Sequence, residues 1–136
     1  MRMILLAAAA AVVLATTAHA ASPPRAIFDG AELHRNLDTG DLRRFEVLRL
    51  SPDGTFTGNY ESRRPVIRGS AERRAGPMRG RWSLHGGEIC FEGVGLEYRG
   101  RNCYRLTKGG YSKRQWSGIN TGTGDVWQFF VYPRGS

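Results

Sequence analysis

Lysine is almost missing from this chain. Eighteen of its twenty basic residues are arginine, and the two lysines are Lys108 and Lys113. Arginine presents a planar fork of donors that matches carboxylates and phosphates, so its excess is consistent with an anionic partner. The alternative is that an arginine-rich, lysine-poor composition reflects a GC-rich genome, in which case the charges are simply solvated. Both interpretations stay open on composition alone.

Catalytic motifs are missing as well. The sequence contains no G-x-S-x-G, no H-E-x-x-H and no glycine-rich phosphate loop. Beyond residue 20 it has two histidines, His34 and His85, and no evident pair of carboxylates. We therefore expect a protein that is not an enzyme and that has no cofactor and no bound metal.

Cysteine is scarce, with Cys90 and Cys103 the only two. Their wide spacing excludes a C-x-x-C redox motif, and two cysteines without suitably placed histidines make a poor zinc site, because structural zinc takes four ligands. In an exported protein such a pair normally forms a disulfide. We predict the bridge Cys90–Cys103, which contributes about 3 kcal/mol on the chain-entropy model.

Only one long hydrophobic run is present, at residues 4–15, behind the cation Arg2 and ahead of Ala18-His19-Ala20. A spanning helix needs about 20 apolar residues, and this run is shorter. The pattern is typical of a secretory signal peptide over residues 1–20, cleaved near Ala20. We expect no membrane span after cleavage and a periplasmic or secreted location in a bacterium.

The mature chain is small and basic. Cleavage after Ala20 leaves 116 residues with nineteen basic and twelve acidic side chains, a formal charge of +7. That length suits one domain. We divide it into an N-terminal spacer at 21–41, with one short helical turn within 28–37, and a single β-domain at 42–136 that carries an arginine-rich loop at 62–77.

The β-domain shows strand patterns and almost no helical period. Leu, Val, Phe, Trp and Tyr recur between turns rich in Gly, Pro and Asp. Strand segments are predicted at 42–50, 55–61, the hairpin 80–91, 102–107, 111–117 and 126–132. An all-β fold follows, namely a small antiparallel meander of about six strands that forms a barrel or a half-barrel.

One hairpin can be predicted down to its register. Gly86-Gly87 can adopt positive φ at both central turn positions, as a two-residue hairpin turn requires. That register places Leu84 across from Ile89 and Trp82 across from Phe91. Cys90 then lies on the opposite face. By the same alternation, Cys103 joins that face if Tyr104 and Leu106 join the tryptophan face.

The order of three motifs resembles a loose group of small periplasmic proteins of Proteobacteria with a lipocalin-like or calycin-like barrel. The motifs are SPDGTFTG at 51–58, GRWSLHGGEICF at 80–91 and RNCYRL at 101–106. They provide the DGT turn, the G-x-W strand, the glycine-rich turn and the two cysteines of that group. The resemblance implies fold and compartment, not activity. The arginine-rich insert before the G-x-W strand is longer than the group's pattern.

That insert carries the principal functional hypothesis. It contains one acidic residue, Glu72, and five arginines, which are Arg63, Arg64, Arg68, Arg73 and Arg74. Five guanidinium groups on one loop would bind anionic envelope components, such as lipid A phosphates or acidic glycans, through charge. The alternative is an ordinary solvated loop. Nucleic acid is not expected as a partner of an exported protein.

A second hypothesis concerns the large side chains of the domain. A lipocalin-like barrel would use them to line a pocket for a small apolar ligand, whereas a packed barrel would use them as its core. They are Trp82, Leu84, Ile89, Phe91, Tyr104, Leu106, Trp116, Trp127 and Phe129. A third hypothesis, inhibition of an exported enzyme such as a lysozyme, is opposed by charge, because many lysozymes are also basic.

Overall fold

The chain forms eight antiparallel strands in a closed barrel, described by a computed structural model for residues 23–65, 71–109 and 113–134. The strands are β1 (Glu32–Asp38), β2 (Arg43–Leu50), β3 (Thr55–Arg64), β4 (Glu72–His85), β5 (Glu88–Val94), β6 (Arg101–Lys108), β7 (Gln115–Asn120) and β8 (Val126–Tyr132). Each pairs with the next, and β8 pairs with β1. The predicted all-β antiparallel meander is confirmed, with eight strands instead of about six, and of the two predicted forms, barrel or half-barrel, it takes the closed barrel.

The predicted signal peptide, residues 1–20, lies outside the described residues. Within the described ranges, no helix is long and apolar enough to cross a bilayer.

The N-terminal spacer differs from its prediction. The helical turn expected within 28–37 is a 3-10 helix at Arg25–Ile27, and β1 occupies most of the predicted range. Three side chains of β1 alternate into the barrel, namely Leu33, Arg35 and Leu37. A charged residue in the middle of the buried face hides the period-two pattern, which explains why the strand was missed.

The same N-terminal segment covers the end of the barrel where β1 begins. Phe28 is fully buried in the core. The Trp82 indole Nε1 donates a hydrogen bond to the Ser51 carbonyl at 2.8 Å, and the Arg25 guanidinium lies 4.5 Å from the Trp82 ring centroid. These contacts close one end of the barrel and leave the opposite end, where β3 ends and β4 begins, as its mouth.

The arginine-rich insert is strand over most of its length, which corrects the prediction of a loop at 62–77. Residues 62–64 complete β3 and residues 72–77 begin β4, in one antiparallel ladder that runs to the Arg64–Glu72 pair. Arg68 lies outside the described residues. Charged side chains alternate on both faces here, so no apolar period marked these residues as strand.

The last two strands were predicted with different success. β8 spans residues 126–132 as expected, whereas β7 extends to Asn120 instead of ending at residue 117. The interior positions at its end are Gly118 and Asn120. A Cβ on Gly118 would lie 2.8 Å from the Phe129 ring, so the glycine makes room for that ring. Asn120 begins the following turn, since its side-chain oxygen accepts from the amides of Gly122 and Thr123.

The central hairpin and the disulfide match their predictions. Leu84 pairs with Ile89 and Trp82 with Phe91, around glycines with φ of 53° and 85°. Cys90 and Cys103 lie directly opposite each other on β5 and β6 and form a disulfide. The bridge therefore joins neighbouring strands on the face opposite Trp82 and Phe91.

The aromatic and aliphatic residues predicted as pocket or core lie in the interior. Leu84 is partly buried and packs against the core, and the others are buried. These are Trp82, Ile89, Phe91, Tyr104, Leu106, Trp116, Trp127 and Phe129.

Candidate functional site

The arginines of the insert are divided between two faces of the barrel wall. Alternation along β3 and β4 turns Arg63 and Arg73 to the outside, while Arg64 and Arg74 face a cleft at the mouth. Side chains that are neighbours in sequence point to opposite sides of a sheet. The four described arginines therefore do not act as one cluster, and the hypothesis resolves into an outer and an inner site that share Arg74 at their border.

The outer site is a row of like charges, which we call the arginine row. Arg43 on β2 pairs in register with Arg63 on β3, which pairs with Arg73 on β4. All three side chains are exposed. Directly opposite residues have Cβ atoms about 4.5–5.5 Å apart, and like charges at that spacing destabilise a sheet.

Little in the protein compensates this repulsion. Arg43 Nε lies 3.3 Å from Asp38 Oδ2, but both side chains are more than half exposed. Arg63 and Arg73 form no ion pair with any of the residues described here. Two guanidinium groups thus remain available to an external anion.

A shallow groove of about 480 Å³ runs beside the arginine row. The Phe45 ring, 44% exposed, lines it together with Ala75, the row itself and Arg74, which also borders the inner cleft. Glu61 also lines the groove and is the acidic group among its lining residues. The outer surface here combines a strong positive charge with a small apolar area.

The inner site is a cleft of about 450 Å³ at the barrel mouth, which we call the mouth cleft. Its lining includes Arg44, Tyr60, Arg64, Arg74, Leu96 and Glu97. Arg74 is paired at the rim with Glu72, at 2.7 Å. The side chain of Arg44 is only 4% exposed, and its guanidinium stacks 4.1 Å from the Tyr60 ring centroid.

A chain of buried charges leads from the mouth cleft to the centre of the barrel. Arg44 Nε donates to Glu46 Oε2, and Arg35 Nε donates to Glu46 Oε1 at 2.7 Å. Arg44 Nη1 donates to Glu97 at 3.3 Å. Two arginines and two carboxylates balance, so the interior network is neutral. This neutrality is what burial demands, since an unpaired buried charge is strongly destabilising.

Arg35 occupies the centre of the predicted aromatic set. Its guanidinium lies 4.5–5.4 Å from four ring centroids, those of Phe91, Tyr104, Trp127 and Phe129. Burial by itself lowers the pKa of Arg35, but Glu46 and Tyr104 outweigh it and raise the pKa above its ordinary value. The rings therefore pack around a cation and fill the interior that a carrier would need empty.

Three buried polar atoms in this core have no hydrogen-bond partner among the residues described. They are Arg35 Nη1, Trp127 Nε1 and Asn102 Oδ1.

The segment between β5 and β6 is fixed at one end. The Tyr98 hydroxyl donates to Asp125 at 2.5 Å, and the Asn102 side chain donates to the Tyr98 carbonyl at 2.8 Å. Burial and the bond to Asp125 raise the pKa of Tyr98. Glu97 lies just before this anchor and reaches into the mouth cleft.

The disulfide region offers no free thiol among the described residues. Across the described part of the chain, one group of close potential metal ligands occurs, formed by Glu88, Cys90 and Cys103. Both sulfurs are engaged in the bridge, so they are not available as thiolate ligands in this state.

Sequence reasoning found four of the arginines that line the two sites and missed their partners. Arg43 and Arg44 went unnoticed because they precede the apolar part of β2, and Glu97 because it lies between strands. Arg35 and Glu46 carried one available signal. Arg35 lies between Leu33 and Leu37, and Glu46 directly precedes Leu48 and Leu50 in the same period-two row, so alternation places both side chains in the interior.

No protein-family model matches this sequence, and a search among curated proteins finds no similar sequence. The resemblance to small periplasmic barrel proteins thus rests on the three motifs. In the structure the DGT motif forms the β2–β3 turn, where the Thr55 hydroxyl and amide donate to Asp53 at 2.6 and 2.9 Å and lower the pKa of Asp53.

Proposed function

We propose that this protein is an exported, non-catalytic binding domain that holds phosphate-bearing components of the cell envelope on its arginine row. The observation that carries the proposal is the register of Arg43, Arg63 and Arg73 across three consecutive strands. Their mutual repulsion costs stability, and a multivalent anion relieves it while gaining charge-assisted hydrogen bonds.

The spacing of the row indicates the kind of anion. Neighbouring strands lie about 4.8 Å apart, so the guanidinium groups stand in a line at short, regular intervals. A single small anion reaches one or two of them, whereas phosphates displayed in series reach all three. The row therefore fits a surface or polymer that repeats its negative charge.

Export is supported by two independent features. Residues 1–20 have the charge, apolar run and small terminal residues of a signal peptide. The Cys90–Cys103 disulfide suits an oxidising compartment. Envelope phosphates are then the abundant multivalent anions that the domain would meet.

The alternatives have weaker support from the geometry. A carrier of a small apolar ligand needs an open interior, but the rings proposed to line it contact one another around Arg35. For inhibition of an exported enzyme, the described surface presents no feature that selects such a partner.

The test compares two double variants with the same change in charge. Arg63→Gln with Arg73→Gln removes two members of the row, and Arg64→Gln with Arg74→Gln removes the inward pair of the same hairpin. The probes are long-chain inorganic polyphosphate and vesicles of phosphatidylglycerol, measured over a range of salt concentrations. These two arms separate a free phosphate polymer from a lipid headgroup as the source of phosphate.

We expect the outer variant to weaken binding at least about tenfold at low salt, because hydrogen bonds to charged groups contribute about 1.5–3 kcal/mol each. Its binding should also depend less steeply on salt. The inner variant should lose clearly less, because Arg64 lies outside the outer groove and Arg74, which borders it, is already paired with Glu72. Equal losses in both variants would mean that net charge alone is responsible, and the proposal would fail.

A further inference from the structure

Glu97 places a carboxylate of the protein itself in the mouth cleft. It lies 3.3 Å from Arg44 Nη1, and its side chain is 18% exposed, so it borders both the cleft and the buried network. Arg64, which also lines the cleft, forms no ion pair with any described residue. The cleft thus combines two guanidinium groups that are paired with carboxylates, those of Arg44 and Arg74, with one that is not.

We infer that the mouth cleft is a binding site for a small organic carboxylate, and that Glu97 occupies the position of the ligand's carboxylate at Arg44 until the ligand displaces it. This inference uses residues on the inner face of the wall. It does not rest on the arginine row or on the proposed binding of phosphates.

The surroundings of Arg44 hold its guanidinium ready for a carboxylate. Nε donates to Glu46, Nη2 donates to the Gly95 carbonyl, and the planar group stacks on Tyr60. Nη1 is the nitrogen that contacts Glu97. A guanidinium group whose orientation is fixed by its other contacts loses little freedom when a ligand carboxylate replaces Glu97 on Nη1.

The contact to Glu97 is the weaker of the two that Arg44 makes with carboxylates. It is 3.3 Å long, against 2.5 Å for Arg44 Nε to Glu46 Oε2. Glu97 also lies on an irregular segment that is anchored one residue later, at Tyr98. The Glu97 side chain can therefore turn toward solvent while the anchor and the buried Arg44–Glu46 pair stay in place.

Charge balance favours a ligand that replaces Glu97 at Arg44 over a ligand that binds while Glu97 stays in place. The network of two arginines and two carboxylates is neutral, and a ligand carboxylate that replaces Glu97 keeps it neutral. Arg64 then offers a second cationic contact at the rim. Leu42 and Leu96 provide a small apolar area in a cleft that is otherwise mostly polar, so the ligand needs only a short apolar or planar part beside its carboxylate. The volume of about 450 Å³ lies in the range of pockets for small molecules.

The test uses benzoate as the probe and amide chemical shifts in the nuclear magnetic resonance spectrum of the disulfide-bonded protein as the readout. Benzoate should shift the amides of Leu42, Ser62, Gly95 and Leu96. Benzyl alcohol, which lacks the carboxylate, should not. In Glu97→Gln the internal competitor is gone, and we expect benzoate to bind about tenfold more tightly, which corresponds to about 1.4 kcal/mol.

Glu61→Gln is the matched control, because it removes the same charge from the outer face of β3 while leaving Arg44 and the lining of the mouth cleft untouched. It should change benzoate affinity by less than about twofold. An equal gain in both variants would assign the effect to general electrostatics and overturn the role of Glu97. Absence of benzoate-dependent shifts at these amides in Glu97→Gln would overturn the site.

Arg64→Gln in the otherwise native chain provides a second measurement if Glu97→Gln does not fold. It should weaken benzoate binding, whereas Arg63→Gln on the outer face should not. Unchanged binding in Arg64→Gln would count against the site. Because the probe is a monoanion read at the inner amides, its result is independent of the polyphosphate and vesicle measurements.

Discussion

Two sets of arginines in this barrel differ in burial and in their carboxylate partners. Arg35 and Arg44 are buried, and each has a carboxylate within hydrogen-bond distance. Arg63 and Arg73 are exposed, stand opposite each other and pair with no described carboxylate. A buried charge without a partner strongly destabilises the fold, whereas an exposed charge keeps its hydration. The interior arginines are therefore already engaged by carboxylates of the chain itself, whereas the exterior ones have none and are free for a ligand.

The largest loss of stability should come from removing the carboxylate of the buried charge network. Glu46→Gln removes the carboxylate that Arg35 and Arg44 share, and we expect a loss of about 3–5 kcal/mol in the free energy of unfolding. Denaturant titration measures it. Glu61→Gln, an exposed position on β3, should stay within about 0.5 kcal/mol of the native chain. Similar losses in the two variants would show that the interior network does not need its shared carboxylate.

The next largest effect, from removal of the disulfide, should lower the stability of the barrel without changing binding at the arginine row. Replacing Cys90 and Cys103 together by alanine should cost about 3 kcal/mol, because the bridge constrains the unfolded chain. The bridge joins β5 and β6, whereas the arginine row lies on β2, β3 and β4. Polyphosphate should therefore bind the folded variant unchanged. A weaker affinity under conditions where circular dichroism shows a folded barrel would contradict the independence of the two regions.

The smallest effect concerns the arginine row itself. Arg63→Gln with Arg73→Gln should raise the free energy of unfolding by about 0.2–1 kcal/mol, since it removes repulsion between directly opposite charges. The gain should shrink as salt is added. Arg64→Gln with Arg74→Gln should show no such gain, because Arg74 is already paired with Glu72. A stability loss in the outer variant would mean that the row is not repulsive in the folded state.

Strands, turns and the disulfide were predictable because their signals are local. The Gly86-Gly87 turn determined the pairing of Trp82 with Phe91, and period-two alternation placed Cys90 and Cys103 on one face. The failures share one cause. β1 and the outer parts of β3 and β4 carry charges at positions where a strand pattern expects apolar residues.

The candidate sites were predictable only in part. The sequence marked Arg63, Arg64, Arg73 and Arg74 as notable but presented them as one loop. Their separation into an outer row and an inner cleft depends on strand register, and Arg43 joins the row only because β2 pairs with β3. Glu97 meets Arg44 across more than fifty residues of chain, which no local pattern reveals.

The amino-acid order alone determined the all-β class, the central hairpin and the cysteine pair, because turn chemistry and side-chain alternation act over a few residues. Closure of β8 on β1 and the burial of two arginines were decided only by the tertiary structure. The tertiary structure also decided which of the remaining arginines face solvent and which face the mouth cleft. The physical reason is that a charge becomes structural or available according to the carboxylates around it, and the folded barrel brings those carboxylates from other strands.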